Sequence, residues 1–538
     1  MNHPFNFRLA AVVLAALVLS AGLAAGPRAW RAPEPAYDLV ITNARVVDGA
    51  GNPWFRADVA IKGGRIARVG RVAASEGKRV IDARGQVVAP GFIDVHTHVE
   101  NIYEQPDAEN FVRMGVTTLV TGNCGGSALD VGKFLGRASD THIAVNLATL
   151  VGHNTVRRAV FGEANRAPTP EELEKMKALV ERAMRDGAVG LSTGLYYVPG
   201  AYAKTDEVVE LAKVAARYGG VYATHMRDEG GGVADSIRES IEIGERANLP
   251  VEISHFKIST KRLWGHSNMT LGLVRDARRR GLSVTVDQYA YTASSTSLDS
   301  RLPDWVEEGG REEGRKRIAD PAQHARILSE MKSSLKKSGF KDFSYATVAS
   351  YATKHEYDGK NILEITKLAR GKMDVDSQVE QILEMYSAGG AAMVYHSMGE
   401  EDVRRIMREP FTMIASDSGV RKFGEGVPHP RGYGNNARVL GEYVRGLGLI
   451  SLEDAVRKMT SLPAQTFGLR DRGMLREGMA ADIVVFDDTE VSDPATFDKP
   501  HQYAVGFSYV VVNGEVVLDT GRMTGARPGA ALRHAAGP

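Results

Sequence analysis

The sequence predicts an α/β fold: a (β/α)8 TIM-like barrel, a small β-sandwich domain built from both termini, and an inserted lid subdomain. Three observations carry this. Short apolar runs alternate with helical segments through the middle of the 538-residue chain, the pattern of βα units around a parallel sheet. Both ends instead alternate apolar and polar residues between Gly and Asn breaks, as antiparallel strands do. One stretch, 305–390, is charged and helical and interrupts the alternation (REEGRKR, ARILSEMKSSLKKS).

Taken in order, MNHPFNFR carries Arg8 ahead of LAAVVLAALVLSAGLAA, residues 9–25, which is apolar and ends in small residues. This is the layout of a secretory signal peptide, residues 1–25, cleaved near Ala24 or Ala25. The alternative is an uncleaved anchor, which the shortness of the run, Ser20 and Gly22 disfavour. No Cys follows the run to take a lipid. A periplasmic or secreted protein with no stable membrane span after cleavage is expected. YDLVITNARVVDG and the following strands, with GMAADIVVFDD and FSYVVVNGEVVLDTGRM near the other end, give the small β-domain, residues 37–90 plus 471–525; Asn513-Gly514 is its hairpin turn.

Between them, residues 91–470 form the barrel. Its runs are FIDVHTH (92–98), VTTLVTGN (116–123), HIAVNLATLV (142–151), AVGLSTGL (188–195), GVYATH (220–225), PVEISH (250–255), LSVTVDQYAY (282–291) and FTMIASD (411–417). A ninth run, AAMVYHS (391–397), is one too many for eight units and is assigned to the insertion. Helix starts are marked by Thr169-Pro170-Glu171-Glu172, by Thr205 before DEVVELAKVAARYGG, and by Ser451 before LEDAVRKM.

Hydrophobic residues make up 43% and charged residues 25% of the chain, enough for a large core. The net charge of +1 excludes the basic surface of a nucleic-acid binder. The single cysteine, Cys124, cannot form an internal disulfide. On its own it reads equally as a buried small hydrophobe or as a ligand.

Barrel enzymes carry their chemistry where the strands end. The first run ends in His96-Thr97-His98, the second in Asn123-Cys124, the fifth in His225, the sixth in His255 and the last in Asp417. Residues i and i+2 of a strand share a face about 6.5–7 Å apart, so His96 and His98 can lean over one ion. Sulfur, imidazole and carboxylate together suit zinc, which activates water and polarises a carbonyl.

These strand ends, with TLVTGNCGGS, GLSTGLYYVPGAY, THMRDEGGG, EISHFK, MIASDSG and PHPRGYG, resemble the amidohydrolase superfamily, and within it the D-aminoacylase (N-acyl-D-amino-acid deacylase) family. The resemblance covers nearly all of the chain after about residue 37. It implies one tight Zn2+ held by Cys124, His225 and His255, and a second, weaker position at His96 and His98. Asp417 would activate water and later protonate the leaving amine. Relatives that open cyclic amides use a carboxylated lysine on strand four, where this chain has Leu191-Ser192-Thr193-Gly194. For the substrate, the resemblance places Lys257, Tyr289 and Arg431 on the α-carboxylate and Tyr197 on the carbonyl oxygen. Their ordinary alternatives are a solvated lysine, core tyrosines and a surface arginine. Arg301, after the seventh run, could face the substrate side chain and favour acidic D-residues; its alternative is pairing with Asp299 or Asp304.

The expected function is zinc-dependent hydrolysis of the linear amide of N-acyl-D-amino acids. Two other readings compete: a dipeptidase on X-D-Xaa peptides, and a non-catalytic periplasmic binding protein of the same fold.

Overall fold

The computed structural model describes Met1 and residues 35–534, so the expected signal peptide, Met1 apart, lies outside the described residues. The strands are β1 (Tyr37–Val46), β2 (Phe55–Lys62), β3 (Arg65–Gly70), β4 (Gly77–Asp82), β5 (Val87–Pro90), β6 (Phe92–Asp94), β7 (Val116–Thr121), β8 (Asn146–Thr149), β9 (Val151–Gly152), β10 (Gly190–Gly194), β11 (Val221–His225), β12 (Val251–Ile253), β13 (Val284–Gln288), β14 (Ser294–Ser297), β15 (Ala346–Ser350), β16 (Ala392–Tyr395), β17 (Thr412–Ile414), β18 (Ile483–Phe486), β19 (Phe507–Val512), β20 (Glu515–Asp519) and β21 (Arg522–Met523).

The two ends of the chain do meet. Strands β1–β5 and β18–β21 form one nine-stranded sheet, joined where β5 pairs antiparallel with β18, Val88 opposite Val485. Ile41, Val46, Ile61, Ile483 and Val511 share its core. Asn513 and Gly514 take left-handed backbone (φ 48° and 85°) between β19 and β20, the twist a two-residue hairpin requires.

The middle is parallel. β6-β7-β8 form one ladder and β17-β13-β12-β11-β10-β9 another. Hydrogen bonds join them on both sides. Val189 N–H donates to Thr149 O, while Thr97 bridges Ser418 and Asp417 N–H donates to His96 O at 2.9 Å. These strands are short and buried throughout, as expected of parallel strands covered by helices. Ile93, Val95, Val120, Leu150, Val189, Ala223, Met413 and Ala415 pack together at two-residue spacing, closed off by Leu462 and Phe467. Continuing that alternation, Ala223 is followed by His225 and Ala415 by Asp417, which carries both side chains past the apolar layer to the strand ends.

Helix Pro170–Arg185 starts as its sequence dictates: Thr169 and Glu172 close a reciprocal capping box. Helix Thr205–Arg217 differs. Its cap is Lys204, and the Thr205 hydroxyl donates instead to Glu239 at 2.9 Å. Segment 294–395 builds a separate antiparallel sheet, β14-β16-β15, with its own core of Leu298, Val306, Met331, Ile365, Ile382 and Tyr395. That core reaches beyond 305–390 on both sides because β14, ahead of the charged stretch, pairs with β16 behind it. No helix among the described residues is long and apolar enough to cross a membrane.

Candidate metal centre

The residues that end β6, β7, β11, β12 and β17 converge. Cys124 Sγ lies 3.4 Å from His96 Nε2, 3.6 Å from His255 Nε2 and 3.7 Å from His225 Nδ1. His225 Nδ1 and His255 Nε2 are 2.7 Å apart. Asp417 Oδ1 is 3.2 Å from His98 Nε2 and 3.6 Å from His96 Nε2. Three overlapping donor sets result: His96, His98 and Cys124; Cys124, His225 and His255; His96, His255 and Asp417.

The backbone is bent to achieve this. Cys124 (φ 52°), His255 (φ 38°) and Asp417 (φ 52°) are in the left-handed region, which costs a residue bearing a Cβ of order 1–3 kcal/mol each. The turn at Cys124 is braced from β10. Ser192 Oγ donates to Gly122 O at 2.5 Å and accepts from Gly125 N–H at 3.1 Å. At Gly194 an added Cβ would overlap the Cys124 carbonyl. Gly194→Ala is therefore expected to cost about 1–3 kcal/mol of stability and to lower metal retention, read by a thermal melt and by metal content after dialysis; wild-type values of both would show that the approach is not needed.

The histidines are oriented from behind. His96 Nδ1 lies 3.0 Å from Asp287 Oδ2, which keeps the proton on that nitrogen and leaves the Nε2 lone pair facing Cys124. Asp287 Oδ1 also accepts the His255 N–H at 2.8 Å, holding that strained residue. Glu229 Oε1 lies 3.0 Å from His255 Nδ1. Burial alone would raise the Cys124 thiol, but the surrounding imidazoles, His96 first and then His225 and His255, bring it well below its ordinary value. Burial likewise opposes ionised Asp417, while Arg431, then His96 and His98, hold its carboxyl well below the usual range.

A thiolate-prone sulfur and imidazole lone pairs facing one another fit a divalent metal such as zinc. The sulfur–nitrogen separations match neighbouring ligands of a tetrahedral zinc with bonds of about 2.0–2.3 Å. The His225–His255 approach is tighter than an ion between them would leave it.

The substrate residues divide. All of Cys124, His98, His225, His255, Asp417, Tyr197, Lys257 and Arg301 line one cavity of about 1480 Å³ between the strand ends and segment 294–397. Tyr289 and Arg431 do not line it; the Arg431 guanidinium stacks on the Tyr289 ring at 4.5 Å and reaches Asp417 Oδ2 at 2.9 Å. Lys257 is buried, not solvated, and its ammonium is taken by Glu229 Oε1 at 2.5 Å and His255 Nδ1 at 2.9 Å. The Tyr197 hydroxyl meets Thr296 Oγ1 at 3.0 Å. Arg301 pairs with neither Asp299, which Arg311 takes, nor Asp304. Its partners are Tyr196 Oη at 2.5 Å, Tyr345 Oη at 3.5 Å and the Tyr395 ring at 4.5 Å.

Sequence reasoning passed over Glu229 and Asp287. Asp287 had a usable signal, an acid inside the apolar run LSVTVDQ, since an unpaired buried carboxylate is costly. Glu229 stands directly before Gly230-Gly231-Gly232 and carries no such mark. His153, two residues beyond the run 142–151, is buried against Glu207 at 2.9 Å, together with Arg157.

Comparison with known proteins agrees with this geometry. The profile of the amidohydrolase family matches residues 79–518, and that of the urease alpha-subunit N-terminal domain matches residues 16–89. D-aminoacylase of Alcaligenes xylosoxydans xylosoxydans is 37% identical over 93% of this chain and 98% of its own length. N-acyl-D-glutamate deacylase of the same organism is 35% identical over 92% and 96%. Among solved structures, D-aminoacylase is 36% identical with a TM-score of 0.79, covering 92% of this chain and 100% of that one; one such structure addresses its binuclear metal center. N-acyl-D-glutamate deacylase from Bordetella bronchiseptica, complexed with zinc and a phosphonate mimic of the tetrahedral intermediate, is 34% identical with a TM-score of 0.80, covering 92% and 99%. D-hydantoinase, 16% identical with a TM-score of 0.53, shares the α/β fold alone. By the extent of these matches, the chain belongs to the amidohydrolase family of metal-dependent hydrolases, in the group of the D-aminoacylases.

Proposed function

We propose that this chain hydrolyses the linear amide bond of N-acyl-D-amino acids with acidic side chains. The observation that carries it is the meeting of Cys124, His225, His255 and Asp417 with Arg301 on a single cavity. Cys124, His225 and His255 would hold the tight zinc, and His96 and His98 a weaker second position. Zinc supplies Lewis-acid stabilisation of negative charge and lowers the pKa of water towards about 7.

The chain's own groups do the rest. Asp417, ionised beside Arg431 and His98, accepts a proton from the attacking water. It returns that proton to the departing amine nitrogen. Burial, then the nearby Cys124, raise the Tyr197 phenol well above its ordinary range, so it stays protonated and can donate to the carbonyl oxygen. Arg431, stacked on Tyr289 behind the cavity wall, acts on the site through Asp417; Lys257 is available to the α-carboxylate only if it leaves Glu229. Among the described residues no carboxylate lies within 4.0 Å of Arg301, and three tyrosines cradle it. A substrate carboxylate is the partner it lacks.

Nine parallel strands, of which β8 and β9 are consecutive segments separated by Leu150, are linked on both sides and support a closed (β/α)8 barrel, residues 91–470, with 305–390 as the centre of a lid over the cavity and the terminal sheet (37–90 and 471–525) as a small sandwich-like β-domain. The apolar run at 9–25 supports export to the periplasm or beyond.

The test is release of free amine from paired D and L forms of N-acetylglutamate and N-acetylmethionine. Turnover of D forms, glutamate first, is expected. Arg301→Leu is expected to lower kcat/KM for the D-glutamate substrate roughly 10–150-fold, the equivalent of losing about 1.5–3 kcal/mol of charged hydrogen bonding, and to leave D-methionine within about threefold. Turnover of L forms only would overturn the assignment of hand; an unchanged glutamate-to-methionine ratio would remove Arg301 from it.

A further inference from the structure

We propose that Tyr196 is a positioning residue that fixes how far Arg301 stands from the strand-end cluster, and so makes the site select the length of an acidic side chain. This rests on the reading of Arg301 as the group that takes the substrate's side-chain carboxylate. Tyr196 spans the two parts. Its ring stacks on the His225 ring, with centroids 5.2 Å apart and planes inclined by 29°, within the range of a favourable aromatic pair. At its other end the hydroxyl oxygen accepts from Arg301 Nη2 at 2.5 Å, while the O–H donates to Ser300 O at 3.3 Å. One phenol therefore holds both the guanidinium and the backbone of the turn Leu298–Arg301 that carries it.

The other contacts of Arg301 cannot set that distance. Ser300, Tyr345 and Tyr395 all lie on segment 294–395, as Arg301 itself does. The face of the Tyr395 ring, 4.5 Å from the guanidinium, leaves it free to slide in its own plane, and Tyr345 Oη at 3.5 Å is at the outer limit of a hydrogen bond. Among the described residues, the hydrogen bond to Tyr196 is the one that ties Arg301 to the barrel.

Tyr196 is itself held on both sides, just past the end of β10. Leu195 N–H donates to His225 O at 3.1 Å, Tyr197 N–H to Gly194 O at 3.1 Å, and Asn154 Nδ2 to Tyr197 O at 3.3 Å. The Tyr197 ring also packs on His225, centroids 4.6 Å apart, and its hydroxyl meets Thr296 of β14. Two consecutive tyrosines thus share one imidazole, and each reaches across the cavity to the segment that covers it. A guanidinium–carboxylate pair needs N···O distances of about 2.7–2.9 Å. With the reacting amide at the strand ends and the guanidinium held by Tyr196, the carboxylates of D-glutamate and D-aspartate, one methylene apart, cannot both meet it.

The test is the ratio of kcat/KM for N-acetyl-D-glutamate and N-acetyl-D-aspartate, measured on the zinc-loaded full chain. The wild type is expected to favour one of the two acids about 10–200-fold, the range for one methylene. Tyr196→Phe keeps the ring on His225 and removes only the hydroxyl. It is expected to narrow that ratio about tenfold, through a higher KM for the favoured acid and with zinc content unchanged. Tyr345→Phe, which removes a hydroxyl from the covering segment instead, is expected to keep the wild-type ratio. A role in folding alone would lower turnover of both acids equally, so an unchanged ratio in Tyr196→Phe would overturn the inference. Equal narrowing by Tyr345→Phe would overturn it too, as would a wild type that takes both acids equally well. Arg301→Leu separates this from the reading beneath it. If Arg301→Leu abolishes the ratio and Tyr196→Phe does not, the inference alone falls; if the ratio survives the loss of Arg301, the reading falls with it.

Discussion

Asp417→Asn is expected to lower kcat for N-acetyl-D-glutamate by about 10²–10⁴-fold, the usual contribution of a general acid–base group, while zinc content stays at the wild-type level. Asparagine is the informative replacement. It tolerates the left-handed backbone of this position (φ 52°) better than most residues, and it keeps the size of the aspartate and the backbone bond to His96 O. What it cannot do is accept a proton from water or return one to the amine. The substitution also strips the Arg431 guanidinium of its anion, 2.9 Å away in a buried setting. Removing one partner of such a pair costs about 3–5 kcal/mol, so the thermal transition should fall as well. Steady-state kinetics, metal analysis and thermal melts separate these effects. A kcat within threefold of wild type would remove Asp417 as the base.

The strand-end residues were legible because a parallel strand is a short apolar run and its last polar residue is where the chain leaves the core. His225, His255 and Asp417 follow from that rule. Which of them share an ion does not, since Cys124 meets His225 across 101 residues and His255 across 131. Lys257 shows the limit from the other side. Its spacing from His255 places it at the rim correctly, but the carboxylate that holds it comes from the loop after a different strand. Arg301 has two acids within three residues in the sequence, yet its guanidinium is held by Tyr196, Tyr345 and the ring of Tyr395, which are 105, 44 and 94 positions away. Local charge pairing is a poor guide where a segment folds over a cavity, because the cavity decides which side of the backbone each side chain takes. Strand β14 shows the same limit: it reads as SSTS, with no apolar alternation, and is a strand only because β16 pairs with it.

Cys124→Ala is expected to abolish retention of the tight zinc, and His98→Ala to spare it. A structural zinc site with four ligands is worth about 10–16 kcal/mol, so losing one ligand from a comparable set weakens binding roughly 10²–10³-fold, enough for dialysis against a chelator to empty the position. Alanine keeps a Cβ and incurs the same backbone cost at φ 52° as cysteine, and the brace from Ser192 acts on Gly122 and Gly125, not on the thiol. The fold should therefore persist, and activity should return only as free zinc is raised. His98 is different in kind. Its side chain is 40% exposed, whereas the His96 side chain is fully buried, and it faces Asp417 on the open side of the cluster, away from the His225–His255 pair. Removing it should leave one zinc per chain after dialysis and lower kcat through Asp417, whose carboxylate loses a partner at 3.2 Å. The two variants thus separate the positions by what survives the chelator. Retention of one zinc by Cys124→Ala with loss from His98→Ala would reverse the order of the two sites, and would make the paired histidines that follow β6, rather than the cysteine after β7, the foundation of the centre.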